Sequence, residues 1–185
     1  MQARQAVLVI DMLNDFVTGE LKCERATNII PNLQRLLAGA RAAGVPVVYS
    51  GDAHLPSDFE LKVWGEHAMA GTPGAQVIPE LAPQEGDLEV PKRTYSAFHE
   101  TGLESLLRGL GVDTVVVTGI HTNICDRHTT ADAFFRGFDV EVVTDGVDAF
   151  TADEHEQGLA YLEKIYGARL VSTDELLSEW QEAAA

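Results

Sequence analysis

Residues 114–125, TVVVTGIHTNIC, run from an apolar stretch into DRHTTADAFFRG, so Cys125 opens a helix directly after a strand. A thiol there meets free backbone N–H groups and the positive end of the helix dipole, and both favour its thiolate. A nucleophilic role and a depressed pKa are expected for Cys125. Other reactive side chains stand at the ends of other apolar runs: Asp11 after AVLVI, Asp52 and His54 in GDAHLP after VPVVYS, and Lys92 in VPKRTYSAF. A strand-terminal Asp often only caps a turn, and a lone Lys is usually a solvated charge. Collected on one sheet edge they acquire chemistry. A half-buried Asp11 with a raised pKa takes a thiol proton and returns it, while Lys92 stabilises the thiolate and holds the carboxylate.

Asp52 and His54 are alternate residues of an extended segment and share one side of it. His67, in VWGEHAMAGTPGA, can close a site from the long irregular stretch that follows. One carboxylate and two imidazoles form a ligand set for one divalent metal with open positions; zinc is the default, and iron or manganese also fit. The remaining histidines carry less: His99 and His155 read as solvated, and His128 as a helix-packing residue. Cys23, in GELKCERAT, reads as an ordinary loop residue.

The elements that must position these groups alternate between strand and helix. Short apolar runs at residues 6–10, 45–50, 88–90, 114–118, 140–144 and 169–171 predict six strands buried on both faces. Between them, residues 28–43, 101–110, 123–136 and 153–166, and the segment from about residue 173, predict helices; Gly44 and Gly137 stop two of them. The helix from residue 153 has acidic residues in its first turn, and residues 172–175 offer a cap followed by acids. The pattern implies a single α/β domain over 1–185, a six-stranded parallel sheet with helices on both faces. Ligands bind such sheets beyond the carboxyl ends of the strands, where strand order reverses.

Composition narrows the classes. The formal net charge is −16 over 185 residues, which excludes nucleic acid and anionic membrane surfaces as natural partners. Only Lys22, Lys62, Lys92 and Lys164 are lysines, a balance that suits a salt-rich host or a GC-rich genome and says nothing about chemistry. No apolar run reaches the length of a membrane span, the first residues lack a signal-peptide core, and no phosphate-loop pattern occurs. Two cysteines in unlike contexts fit a reducing cytoplasm, the expected location.

Taken together, VLVIDMLNDF, GDAHLP, WGEHAMAGTPGAQVIPEL, KRTYSAF and GIHTNICDRHTTADAFFRG resemble the isochorismatase-like cysteine hydrolases over nearly the whole chain, and within them the nicotinamidase/pyrazinamidase branch. The resemblance implies a three-layer, Rossmann-like α/β/α hydrolase fold, a catalytic triad of Asp11, Lys92 and Cys125, and metal ligands Asp52, His54 and His67. It also implies a cis peptide between Ile120 and His121, an oxyanion hole built from the His121 and Cys125 N–H groups, and Phe16 and Trp64 against a substrate ring. The expected activity is hydrolysis of a carbon–nitrogen bond in a small aromatic or heterocyclic primary amide, nicotinamide first, with cleavage of another small amide or ureido compound as the alternative. A metal-binding scaffold without activity is the non-enzyme alternative. A homo-oligomer acting on a small-molecule amide, with neither nucleic acid nor membrane as partner, completes the expectation. Three positions depart from the branch: His121 replaces a small residue, Asp126 an apolar one, and Ala53 stands where many relatives carry Trp.

Overall fold

Residues 6–10 are each at most 1% exposed, and their alternation divides the interior into two cores. They belong to β1 (Gln5–Ile10). Val7 and Val9 face one layer with Leu33, Leu36 and Trp180, whereas Ala6, Leu8 and Ile10 face the other with Leu103, Leu107, Ala133 and Leu162. The computed structural model describes residues 4–184; residues 1–3 and 185, the ends of the expected domain, lie outside the described residues.

The chain continues through α1 (Asn14–Val17), α2 (Ala26–Ala42), β2 (Val47–Ser50), α3 (Leu61–Trp64), β3 (Leu88–Glu89), α4 (Leu103–Gly109) and β4 (Thr114–Ile120). It closes with α5 (Cys125–Phe135), β5 (Asp139–Asp148), α6 (Ala152–Tyr166), β6 (Arg169–Val171) and α7 (Thr173–Ala184). The six strands form one sheet in the order β3-β2-β1-β4-β5-β6, and every pairing is parallel. Strand order reverses between β1 and β4, so the crevice for a ligand lies past Ile10 and Ile120. The α/β/α architecture expected from the sequence is the one observed.

Three local features differ from expectation. The one-turn helix α3 interrupts a stretch read as irregular, and α1 falls where no element is expected, because four residues are too few to show a helical period. β5 has ten residues, twice the expected run, since a register shift against β4 between Val117 and Gly119 lets pairing resume at Val147 and Asp148. Cys23 is fully buried, and its thiol donates to the Ala149 carbonyl at 3.4 Å.

That register shift turns on Gly119. Its φ is +109°, and a Cβ there would lie 1.9 Å from the Ile10 carbonyl oxygen. The obstacle is backbone that is itself part of the sheet, so it cannot yield without moving β1 and Asp11. Gly119→Ala is expected to destabilise the protein by about 3 kcal/mol or more, or to prevent folding. Urea denaturation checks this, and wild-type stability in the variant would refute the close-approach reading.

Candidate active site

Asp11 is the first residue past β1 and sits at φ +52°, a left-handed conformation that Asp tolerates better than most residues. Its Oδ1 accepts the Asp52 backbone N–H at 2.9 Å, which ties the ends of β1 and β2. Lys92 enters from the segment after β3 through reciprocal backbone bonds: its N–H donates to the Gly51 carbonyl, and the Ala53 N–H donates to its carbonyl. Its Nζ lies 2.7 Å from Asp11 Oδ2, donates to Asp52 Oδ1 at 2.6 Å and reaches Cys125 Sγ at 3.9 Å. Asp11, Asp52 and Lys92 are each 1% exposed and Cys125 is 5% exposed, so a cation, two carboxylates and a thiol share one dry site.

Burial sets the protonation there. It pushes the Asp11 carboxyl up to about 7, helped by the Asp52 charge and opposed by Lys92. Burial also raises Asp52, but Lys92 and His54 outweigh it and hold this carboxyl below the usual range. Lys92 stays ammonium: desolvation lowers it, and the Asp11 and Asp52 carboxylates more than reverse that. For Cys125 the sequence expectation is corrected. Desolvation, with the Asp11 and Asp52 charges added, raises the thiol well above its ordinary value in spite of Lys92 and the helix start. The resting group is a thiol beside Asp11, a carboxyl whose pKa lies close to neutrality.

Beside this cluster, Asp52, His54, Glu60 and His67 each aim one ligand atom at a common point, all within 4.8 Å of one another and all buried. His54 Nδ1 meets Asp58 at 3.2 Å, and His67 Nδ1 donates to the Gly65 carbonyl at 2.9 Å, which leaves the Nε2 lone pair of each ring free. Asp52 Oδ2, His54 Nε2 and Glu60 Oε2 have no hydrogen-bond partner in the protein. Orphaned buried ligand atoms on three side chains, with the His67 ring beside them, fit a divalent cation, and the two-imidazole, oxygen-rich set fits zinc, iron or manganese. Asp58 is held in turn by the Arg93 guanidinium and the Leu55 N–H, so His54 is braced from outside. The His67 loop is pinned by Asp15, whose carboxylate accepts the Ala68 N–H at 2.7 Å, and by a bridge pairing His54 with Met69.

Glu60 is the residue that sequence reasoning missed. It lies six positions past His54 in PSDFELKVWG, with no fixed spacing to mark it, and only the turn into α3 brings it back. Burial and the Asp52 charge raise its pKa.

The peptide between Ile120 and His121 is cis. Among the described residues neither the His121 nor the Cys125 N–H donates to a protein acceptor. The Thr122 hydroxyl pairs with His155 Nδ1 at 2.9 Å, and its N–H donates to the Asp148 carbonyl, so α6 and β5 brace this loop. His155, expected to be solvated, is therefore a loop contact on α6. His128, expected to pack a helix, is exposed on α5, with its Nδ1 donating to the Ile124 carbonyl just before the helix, and His99 is exposed as expected.

A narrow pocket with about 20 Å³ of free space opens on Cys125 between Phe16, Trp64, Phe150, Tyr95 and His121. That is far below the roughly 300–1,000 Å³ of pockets for drug-sized ligands and favours a small, flat molecule between these rings. Trp64 donates to the Tyr95 hydroxyl at 3.0 Å and stacks on Phe150. A larger groove lined by Phe59, Val63, Arg93 and His99 adjoins it but does not reach Cys125.

Directly after the thiol, Asp126 is fully buried and both of its carboxyl oxygens lack partners. Burial, with the Asp11 charge added, raises its pKa far above the ordinary range. The unfolded chain releases this proton near pH 4 while the folded chain keeps it, so Asp126 erodes stability as pH rises above about 4, by up to ~1.4 kcal/mol per pH unit. Asp126→Asn should melt well above wild type at pH 8, by less at pH 5 and nearly level with it at pH 4. Equal gains at all three pH values would contradict a neutral buried acid.

Comparison with known proteins places this geometry. The family model described as the isochorismatase domain matches residues 5–175. Nicotinamidase 3 of Arabidopsis thaliana is 36% identical over 178 residues, which cover 92% of this chain and 86% of the plant protein. The structure of N-carbamoylsarcosine amidase from Thermoplasma acidophilum superposes with a TM-score of 0.88 at 38% identity, covering 92% of this chain and 97% of that one. The pyrazinamidase of Pyrococcus horikoshii in complex with zinc superposes at 0.86 and 28% identity, over 91% and 99% of the two chains. The chain spans 60% of the length of the Bacillus subtilis isochorismatase, to which it is 32% identical. The chain belongs to the isochorismatase family of hydrolases.

Proposed function

We propose that this protein is a metal-containing cysteine amidohydrolase that releases ammonia from a small aromatic or heterocyclic primary amide, with nicotinamide the best single substrate. The observation that carries the reading is a buried cluster in which Lys92 Nζ lies 2.7 Å from the Asp11 carboxyl and 3.9 Å from Cys125 Sγ, with that carboxyl poised near neutrality. Cys125 Sγ attacks the amide carbon as Asp11 takes the thiol proton. The carbonyl oxygen becomes an oxyanion held by the His121 and Cys125 N–H groups, neither of which donates to a protein acceptor among the described residues. Asp11 returns the proton to nitrogen, the carbon–nitrogen bond breaks, and ammonia leaves a thioester on Cys125. Water then gives a proton to Asp11 and attacks the thioester; the carbon–sulfur bond breaks, and the thiol is restored by that proton.

Asp52, His54 and His67, joined by Glu60, are the residues that would hold the divalent metal, most simply zinc. When bound it supplies a Lewis acid that fixes a ring nitrogen and so aligns the amide over the thiol. Phe16 and Trp64 wall the same pocket and exclude water from the ring. Lys92 keeps its one positive charge between Asp11 and Asp52, 3.9 Å from Cys125 Sγ, and this stabilises the thiolate as it forms. A cytoplasmic homo-oligomer remains part of the proposal. Likeness to N-carbamoylsarcosine amidases supports a second reading, cleavage of a ureido carbon–nitrogen bond by the same triad.

Ammonia release from a panel of primary amides tests the assignment. Nicotinamide and pyrazinamide should turn over, and benzamide, lacking the ring nitrogen, roughly 30 to 150-fold less efficiently in kcat/KM. Cys125→Ala should lose turnover by at least about a thousandfold. Full activity in that variant would end the mechanism, and a ureido or aliphatic preference would replace the substrate but keep the triad.

The metal reading has a separate readout. His67→Ala should bind less metal by elemental analysis and show a raised KM for nicotinamide, while iodoacetamide still alkylates Cys125. Active protein without metal, together with an unaltered His67→Ala variant, would refute it.

A further inference from the structure

His121 is 3% exposed, and its imidazole forms part of the pocket wall beside Cys125. The ring stacks on Phe150 with centroids 4.1 Å apart and planes at 26°, and Phe150 stacks in turn on Trp64 at 6.3 Å and 28°. On its other side Phe16 meets it edge-on, with centroids 6.0 Å apart and planes at 87°. The imidazole is thus fixed by aromatic neighbours, yet its Nε2 is buried without any hydrogen-bond partner in the protein. A buried ring nitrogen left unpaired costs free energy unless a ligand supplies its partner.

We propose that His121 is a specificity residue whose Nε2 hydrogen-bonds an uncharged polar group on the ring atom next to the substrate's carboxamide. This inference rests on the amide-hydrolase reading, which assigns the backbone N–H of the same residue to the carbonyl oxygen. One residue cannot span far, so its ring reaches only substituents that flank the carboxamide. Desolvation, reinforced by Lys92, lowers the imidazole to about 4, and a neutral ring accepts or donates one hydrogen bond without attracting a charge. Lys92, the ammonium nearest the thiol, is already shared between Asp11 and Asp52 and offers no free charge to a flanking carboxylate.

Two nearly isosteric probes separate hydrogen bonding from shape: 2-aminonicotinamide and 2-methylnicotinamide. The ratio of their kcat/KM values, amino over methyl, should fall about tenfold from wild type to His121→Phe and recover in part in His121→Asn. Comparing ratios across variants cancels the intrinsic reactivity of each amide. A binding measurement stands beside it should the Phe variant not fold. In Cys125→Ala protein labelled with 15N-histidine, the His121 Nε2 resonance should move with the amino probe and not with the methyl one. An unchanged ratio in both variants, or equal shifts from both probes, overturns the role of His121. Wild-type protein that hydrolyses no amide, yet shows the selective shift, overturns the hydrolase reading and keeps the binding role.

Discussion

A fully buried ammonium held between two buried carboxylates is the interaction on which the active-site region depends. Desolvating three charges is expensive, and the mutual attraction compensates only when geometry is tight and remaining atoms are bonded. Here Lys92 Nζ approaches Asp11 and Asp52 at 2.7 and 2.6 Å, while the free Asp11 oxygen takes a backbone N–H. Because Asp11 follows β1, Asp52 follows β2 and Lys92 follows β3, the same contacts lock three strand ends together. Loss of the ammonium would leave two carboxylates facing each other in a dry site, and one would have to take up a proton. Burial, with the Asp52 charge added, lifts Asp11 to about 7 against the pull of Lys92, and there a carboxyl both accepts and returns a proton.

Cys125 shows how a sound local rule loses to its surroundings. A helix start stabilises a thiolate by a modest amount that fades within a turn. At 5% exposure the thiol loses most of its hydration, and two carboxylates add to that loss. The chemistry passes from a preformed thiolate to a thiol with its base attached. Proton transfer and attack are then coupled to substrate entry, which suits a nucleophile in a pocket that excludes water.

Much of this was readable in the sequence because it depends on short-range patterns. Runs such as AVLVI and TVVVTGI declare strands buried on both faces, and a parallel sheet puts whatever follows them on one edge. Asp11, Asp52, His54, Lys92 and Cys125 were found that way. What stayed hidden depends on folding of the loops. Glu60 joins His54 only through the turn into α3, and His155 meets Thr122 only because α6 lies across the loop, where a Cβ on Gly158 would sit 3.0 Å from Thr122. Cys23 has no apolar frame around it in GELKCERAT, yet its contact with Ala149 lies 126 residues away. The second half of β5 was invisible for another reason: TDGVD lacks a strand pattern, and its pairing is created by the shift at Gly119.

Strands and loops therefore divide the work. Strand ends carry the charges and the nucleophile, fixed by sheet hydrogen bonds and by Lys92, while loops and one-turn helices carry Phe16, Trp64 and Phe150. An aromatic wall can change without disturbing the proton balance among Asp11, Asp52 and Lys92, because none of its rings bonds to them. His121 is where the two systems meet. It follows β4 directly, its carbonyl accepts the Ile124 and Asp126 N–H groups, and its ring belongs to the wall. A side chain there adjusts what the pocket recognises while its backbone helps set the start of α5. In the proposed mechanism this coupling makes position 121, more than the aromatic residues around it, the point at which substrate choice and the geometry of attack meet.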